Sequence, residues 1–236
     1  MMDCSKTIMI LISLICAIPA ICQQTETHSD TLVDTRYRED QFYIGLNYNI
    51  ISSVPRGVNS RGLSGGLQLG YFRDMPINKR RNVAIAIGAG LAFDQFGQNL
   101  FIGEKLDQTT IFKVLNDEVT FDQNRFSMAA LEVPVQFRWR TSTAESYKFW
   151  RIYAGFKMGY VYWYKATFKQ PNNKVVQTDI PEFNNLRFSA NLSFGYNTFN
   201  FYASYSINPF FTDATTNTGQ TVDFKAIKLG LIFYIL

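Results

Sequence analysis

Residues Asp223 to Leu236 (DFKAIKLGLIFYIL) constrain this chain more than any other stretch. Ile227, Leu229, Leu231, Phe233 and Ile235 form an unbroken apolar row. Between them, Phe224, Ala226, Lys228, Gly230, Ile232 and Tyr234 form a mixed one. Character that changes at every second residue means a strand, because successive Cβ atoms of a strand point to opposite faces. The sequence given stops on this strand, with no turn or polar tail after it.

The same alternation recurs along the chain. Gln41 to Ile51 sets Phe42, Ile44, Leu46, Tyr48 and Ile50 against Tyr43, Gly45, Asn47 and Asn49. Gly62 to Arg73, Asn82 to Phe93, Arg125 to Arg140, Phe149 to Phe168, Leu186 to Tyr196 and Phe199 to Asn208 repeat it. With the final stretch that makes about eight strands, most near or above the ~9 to 11 residues that cross a bilayer. Asp94 to Asn124 reads as a long polar stretch, Lys169 to Asn184 and Pro209 to Thr221 as loops, and Asp74 to Arg81 as a turn.

Two features separate a membrane barrel from a soluble one. Glycines fall mostly on the polar row (Gly45, Gly66, Gly70, Gly88, Gly90, Gly155, Gly159, Gly195, Gly230). Small residues belong where a sheet curves tightly inward, so the polar row faces the lumen and the apolar row faces out. Connection lengths also alternate. The turns near 74–81, 141–148 and 197–198 are short, whereas 52–61, 94–124, 169–184 and 209–221 are generally longer, as periplasmic turns and extracellular loops are. Trp139, Trp150, Tyr162, Trp163 and Tyr164 near strand ends suit interfacial girdles. The fold expected is all-β: a single antiparallel up-and-down transmembrane β-barrel of about eight strands. A secreted β-sandwich is the alternative.

Composition agrees. Charged residues are 18% of the chain, against about 25% in soluble proteins, and aromatic residues are 16%. The net charge of +4 is dispersed, with no basic cluster pointing to nucleic acid. The start of the chain reads as a signal peptide: Lys6, an apolar run from Thr7 to Ile21, and a cut after Cys22. Lipid attachment at Cys22 is a rival reading that the bulky Ile21 opposes. A retained membrane helix is opposed by the run's shortness. Cys4, Cys16 and Cys22 all lie in this segment, so the mature chain has no thiol chemistry. The domains expected are thus 1–22 signal peptide, 23–40 polar periplasmic leader and 41–236 barrel. His28, the one histidine, falls in the leader as a solvated tail residue rather than a ligand or base.

Lys228, Gly230, Phe233 and Ile235 fit the polar-x-Gly-x-x-aromatic-x-apolar pattern of the last strand of outer-membrane barrels. That resemblance implies recognition by the barrel-assembly machinery and a place in outer-membrane lipid. Leu131-Glu132-Val133-Pro134-Val135 resembles the LE(I/V)P strand of the PorT-like, porin-family small outer-membrane barrels of Gram-negative bacteria. The family's namesake is implicated in protein secretion across the outer membrane, so the resemblance implies a secretion-system or surface protein as partner.

For the interior, Glu132 and Lys157 fall at similar depth on adjacent strands. An unpaired buried charge is costly, so Glu132 is expected to bond Lys157 or another cation among Arg138, Arg140, Arg187 and Lys228. Such a cluster is either a structural plug or a gate, and eight strands leave just enough lumen for side chains. Enzymatic readings lack support. The barrel has no histidine, cysteine or Gly-x-Ser-x-Gly elbow, and Ser64 and Ser127, read within strands, have no evident base. Asp94, Asp107, Asp117, Glu118 and Asp122 read as solvated acids in and beside the long loop, with weak calcium binding the sharper reading. No catalytic residue, metal site or cofactor is expected. The function expected is a non-enzymatic outer-membrane barrel serving as an accessory to secretion or envelope assembly. A small pore is the alternative, or adhesion through the 94–124 loop, whose Phe101, Ile102, Ile111, Phe112, Val114 and Leu115 suggest strand extensions or a contact surface.

Overall fold

The computed structural model describes residues 39–105, 109–116, 118–141 and 149–235. The stretch read as a signal peptide, the expected leader up to residue 38 with His28, and Asp107 and Asp117 lie outside these residues. So does most of the 141–148 turn.

The strands are β1 (Gln41–Ser52), β2 (Gly65–Pro76), β3 (Val83–Gly97), β4 (Leu100–Glu104), β5 (Thr110–Val114) and β6 (Gln123–Arg140). They continue with β7 (Trp150–Gln170), β8 (Asn173–Gln177), β9 (Leu186–Tyr196), β10 (Phe199–Ser206) and β11 (Lys225–Ile235). β1, β2, β3, β6, β7, β9, β10 and β11 pair in that order, each antiparallel to the next. β11 returns to β1 with Phe42 opposite Ile235 and Ser52 opposite Lys225, which closes the sheet into an eight-stranded barrel. Closure gives each of the eight barrel strands a partner on both sides, the condition for strands to cross lipid.

Around its waist the barrel is apolar outside. Phe42, Leu46, Leu69, Ile87, Val135, Phe156, Leu192 and Phe201 are all exposed on this face. Their neighbours along each strand point inward and are polar or small.

Several expectations about the loops and strand ends are corrected. The polar stretch 94–124 is not a plain loop: β3 runs on to Gly97, and β4 and β5 form a two-stranded hairpin. Part of the 169–184 loop is also strand, where β8 pairs with the end of β7. β2 continues through Asp74 to Pro76, which turns Asp74 into a lumen residue instead of a turn residue. The last strand begins at Lys225, β10 ends at Ser206, and Ser64 lies just before β2.

The sides exchange character near the loop end. On β6, Leu131 faces out and Glu132 in, but closer to the loops Phe126, Met128 and Ala130 are buried inside while the half-buried Arg125 lies on the opposite side. β3 does the same: Phe93 out, Asp94 in, then Gln95 out and Phe96 in. On β7 a register shift opposite Ala129 and Ala130 leaves Tyr162 as an extra residue, since Ala129 pairs with Trp163 and Ala130 with Val161. Such a bulge reverses which residues face inward. Tyr162 and Trp163 stay exposed, and Tyr164 turns inward, so it is not the girdle residue the sequence suggests. Below this level the barrel is built for lipid; above it, for water.

The water-side part has its own core. Phe96, Phe112, Phe126, Phe183, Phe210 and Phe211 are all buried in one cluster. Phe126 has ring centroids of Phe183 at 5.3 Å and Phe211 at 5.8 Å. Leu100, Ile102, Phe112 and Leu115 of the 94–124 segment are buried in the same region, which removes them as an exposed adhesion surface. Thr110 Oγ1 donates to Glu182 Oε2 at 2.7 Å, tying the hairpin to the next loop.

Candidate functional site

The lumen residues fall into tiers along the axis, and the cations expected to form one cluster divide among them. At the short-turn, periplasmic end, β2 brings in Asp74, β6 brings Arg138 and Arg140, and β7 brings Arg151. Arg140 Nη1 and Nη2 donate to Asp74 Oδ1 and Oδ2 at 3.0 and 2.9 Å. This is the two-pronged geometry that suits guanidinium to carboxylate. Arg138 Nη1 reaches Asp74 Oδ1 at 3.3 Å and Gln41 Oε1 at 3.4 Å, and its Nε donates to Gln136 Oε1 at 3.2 Å.

Arg138 is also held over aromatic faces, with Phe72 at 4.3 Å and Tyr153 at 4.6 Å from its guanidinium carbon. Ring faces are negative, so they stabilise a cation removed from water. The second carboxylate of this tier is Glu39, fully buried 3.7 Å from Arg140 and 3.8 Å from Arg151. The sequence reading placed Glu39 in the leader. The signal that could have found it is the three lumen arginines at one end, which one aspartate does not balance. Arg151, missed as well, donates to the carbonyl of Asn197 at 2.6 Å.

The middle tier is the pair the sequence singled out. Lys157 Nζ lies 2.8 Å from Glu132 Oε2 and 2.9 Å from Gln68 Oε1, all three side chains buried. Lys157 also stands 5.4 Å from the ring centroid of Tyr202. Space for these groups comes from the glycine row. A Cβ on Gly90 would collide with the Tyr43 hydroxyl, and one on Gly45 would come within 2.6 Å of Gln68 Nε2. Below it, Gln136 Nε2 donates to Asn191 Oδ1 at 3.3 Å.

Nearer the loops, Lys228 Nζ pairs with Asp94 Oδ2, and Asn49 Nδ2 donates to Asp94 Oδ1 at 3.1 Å. Asp94 is therefore not a loop acid; it is a buried lumen anion. Arg187 joins no carboxylate among the described residues. It is pressed between Phe183 at 4.8 Å and Phe210 at 4.5 Å, and donates to the carbonyls of Pro209 at 2.8 Å and Phe210 at 3.2 Å. The aromatic core lies on this side, so the polar lumen is roofed by apolar packing.

Among the described residues, this interior largely pairs charge with charge. Ser64 Oγ accepts from the Gly97 N–H at 2.9 Å. Among the described residues no three His, Cys, Asp or Glu side chains come together as metal ligands. Gly230 of the C-terminal pattern lies opposite Asn47 of β1 and Tyr202 of β10, while Phe233 packs edge-on against Phe199 at 4.8 Å. Ile235 is exposed, opposite Phe42.

The family model described as "Outer membrane protein beta-barrel domain" matches residues 23–212. No curated protein matches the chain in sequence. Among solved structures, the chain is similar to that of Ail, the attachment invasion locus protein of Yersinia pestis, in complex with the heparin analogue sucrose octasulfate. The likeness has 17% identity over 84% of this chain and 97% of that one, with a TM-score of 0.30, too loose a superposition to carry the neighbour's properties over.

Proposed function

The chain belongs to the outer membrane protein beta-barrel domain family, and from that place in the outer membrane we propose that it neither conducts nor catalyses, and acts by presenting its folded loop cap to a protein partner. The observation that carries this reading is the filled lumen. Asp74 with Arg138 and Arg140, Glu132 with Lys157, and Asp94 with Lys228 neutralise one another at successive levels. A continuous ion path needs charged groups left to face water, and here they face each other.

The loops supply what a binding element needs, because an aromatic core fixes their relative positions. Contacts with a partner fall to the outer surface of the β4–β5 hairpin and its neighbours, since Leu100, Ile102 and Phe112 of that hairpin point into the core. The PorT-like stretch around Glu132 favours a partner in secretion or envelope assembly. Delivery to the membrane by the barrel-assembly machinery goes with the same reading.

Two measurements test it. In planar bilayers the full-length protein should give no steady conductance; sustained openings of uniform size would overturn the plugged-lumen reading in favour of a small pore. The surface and secreted proteome of a strain lacking the gene, compared with its parent, tests the partner. Loss of a defined exported set, with its accumulation in the periplasm, supports secretion. Matching proteomes remove that role and leave surface binding.

A further inference from the structure

Above the waist, the outer face of β3, β6 and β7 differs from the rest of the barrel. Its last apolar row is Phe93, Ala129 and Trp163, aligned by pairing, with the Phe93 and Trp163 rings stacked at 6.1 Å. Immediately loopward the paired rows become polar and basic: Gln95 and the buried Ser127 with Lys165, then Arg125 with the buried Thr167, then Gln123 with Lys169. A cleft of about 290 Å³ opens there, lined in part by Arg61, Gln95, Phe121, Asp122, Gln123 and Arg125. Arg125 Nη1 donates to the neutral Gln95 Oε1 at 3.3 Å, and the Arg61 guanidinium lies 5.3 Å from the Phe121 ring. Among the described residues no carboxylate pairs with Arg125, Lys165 or Lys169. Asp122 lines the cleft as well, so the field is the excess of Arg125 and Lys165 over this one anion. The loop ends of β9 and β10 instead present exposed Leu186 and Ile207 outward.

Height identifies what meets this patch. At ~3.3 Å per residue and a tilt of roughly 45°, Lys165 stands about 5 Å and Arg125 about 9 Å beyond the aromatic row. The headgroup layer of a bilayer leaflet is roughly 5–8 Å deep, so these cations lie at or just outside it. We propose that the β3–β6–β7 face binds a phosphate-bearing headgroup of the outer-leaflet glycolipid. Arg125 and Lys165 contact the phosphate, Arg61 closes the cleft, and Phe93 and Trp163 lie along the acyl chains. Guanidinium and ammonium groups facing outward at this depth match phosphate oxygens in charge and geometry. The site rests on the barrel's place in the outer membrane and is independent of any protein partner.

The test is native mass spectrometry of the full chain released from detergent micelles, with bisphosphorylated lipid A as probe. The wild-type protein should retain the lipid, and dephosphorylated lipid A should bind about tenfold more weakly or worse, the worth of one or more charge-assisted hydrogen bonds. Inorganic phosphate at equal concentration should leave the lipid in place. A variant carrying Arg125→Glu and Lys165→Glu, shown to be folded by its heat-modifiable gel migration, should lose the lipid, whereas Lys225→Glu on β11 should keep it. Equal retention of dephosphorylated lipid A overturns the proposal without recourse to any variant. So does displacement by inorganic phosphate, which would make the cleft a site for free anions, or wild-type retention by the folded double variant.

Discussion

Arg140 and Asp74 lie 66 positions apart and meet through two hydrogen bonds of 3.0 and 2.9 Å with neither side chain exposed. β3 stands between their strands, so the contact spans the inside of the curve rather than one ladder. It anchors a tier that also holds Glu39, Arg138 and Arg151.

Removing the anion from this tier is expected to be costly. Asp74→Ala leaves Arg138 without its carboxylate and takes from Arg140 its two-pronged partner, while the longer contact to Glu39 and the bond to the Arg81 carbonyl stay. Breaking one side of a buried ion pair typically costs about 3–5 kcal/mol. Urea titration of the barrel folded in micelles should show that loss, and the double variant Asp74→Leu with Arg140→Leu should lose less than the sum of the single substitutions. Simple additivity would mean that the two groups do not act together.

Gly90 should be sensitive to a single methyl group. The added Cβ of Gly90→Ala meets the Tyr43 hydroxyl, and also the Leu69 carbonyl at 2.7 Å. Overpacking of this kind costs about 1–3 kcal/mol. Tyr43→Phe removes the hydroxyl, so in that background the same substitution should be milder, with the Leu69 contact accounting for what remains. The comparison is of unfolding midpoints across the four proteins.

Phe156 tests where lipid lies. It is 66% exposed at the waist and projects outward. Phe156→Arg should destabilise the barrel in bilayers by roughly 2–4 kcal/mol, the cost of a cation near the midplane. Gln123→Arg, loopward of the aromatic row and only half-buried, should cost far less. Equal costs at the two positions would contradict the boundary set at Phe93 and Trp163.

Phe233 separates assembly from stability. Phe233→Ala loses the edge-on contact with Phe199 but leaves the β11–β1 and β10–β11 ladders in place. Refolding into micelles in vitro should proceed, while the assembled, heat-modifiable fraction in cells should fall several-fold. Loss of refolding in vitro to the same extent would make Phe233 a packing residue only.

The partners of Glu132 and Asp74 show how far the sequence could be read. Glu132 and Lys157 sit on consecutive strands of the barrel, β6 and β7, where depth can be counted along the alternation, so their meeting was legible. Asp74 reads as a turn residue beside Pro76, and Asp94 as the start of a polar loop. Their strands in fact run on, because β3 and its partners keep pairing past the membrane. Nothing local distinguishes the two cases. Tyr164 was misplaced for a related reason: one unpaired residue, Tyr162, reverses the inward phase only once β7 is registered against β6.

The sequence by itself determined the barrel. Alternation of side chains, glycines on the polar row and alternately short and longer connections are local properties, and they are enough to put an apolar surface outside and a polar one within. Tertiary structure decided which charges neutralise which, that Glu39 enters the lumen, and that inside and outside exchange character above Phe93 and Trp163. Those outcomes depend on strand register and curvature, which bring together groups from distant strands. Only a closed barrel fixes both.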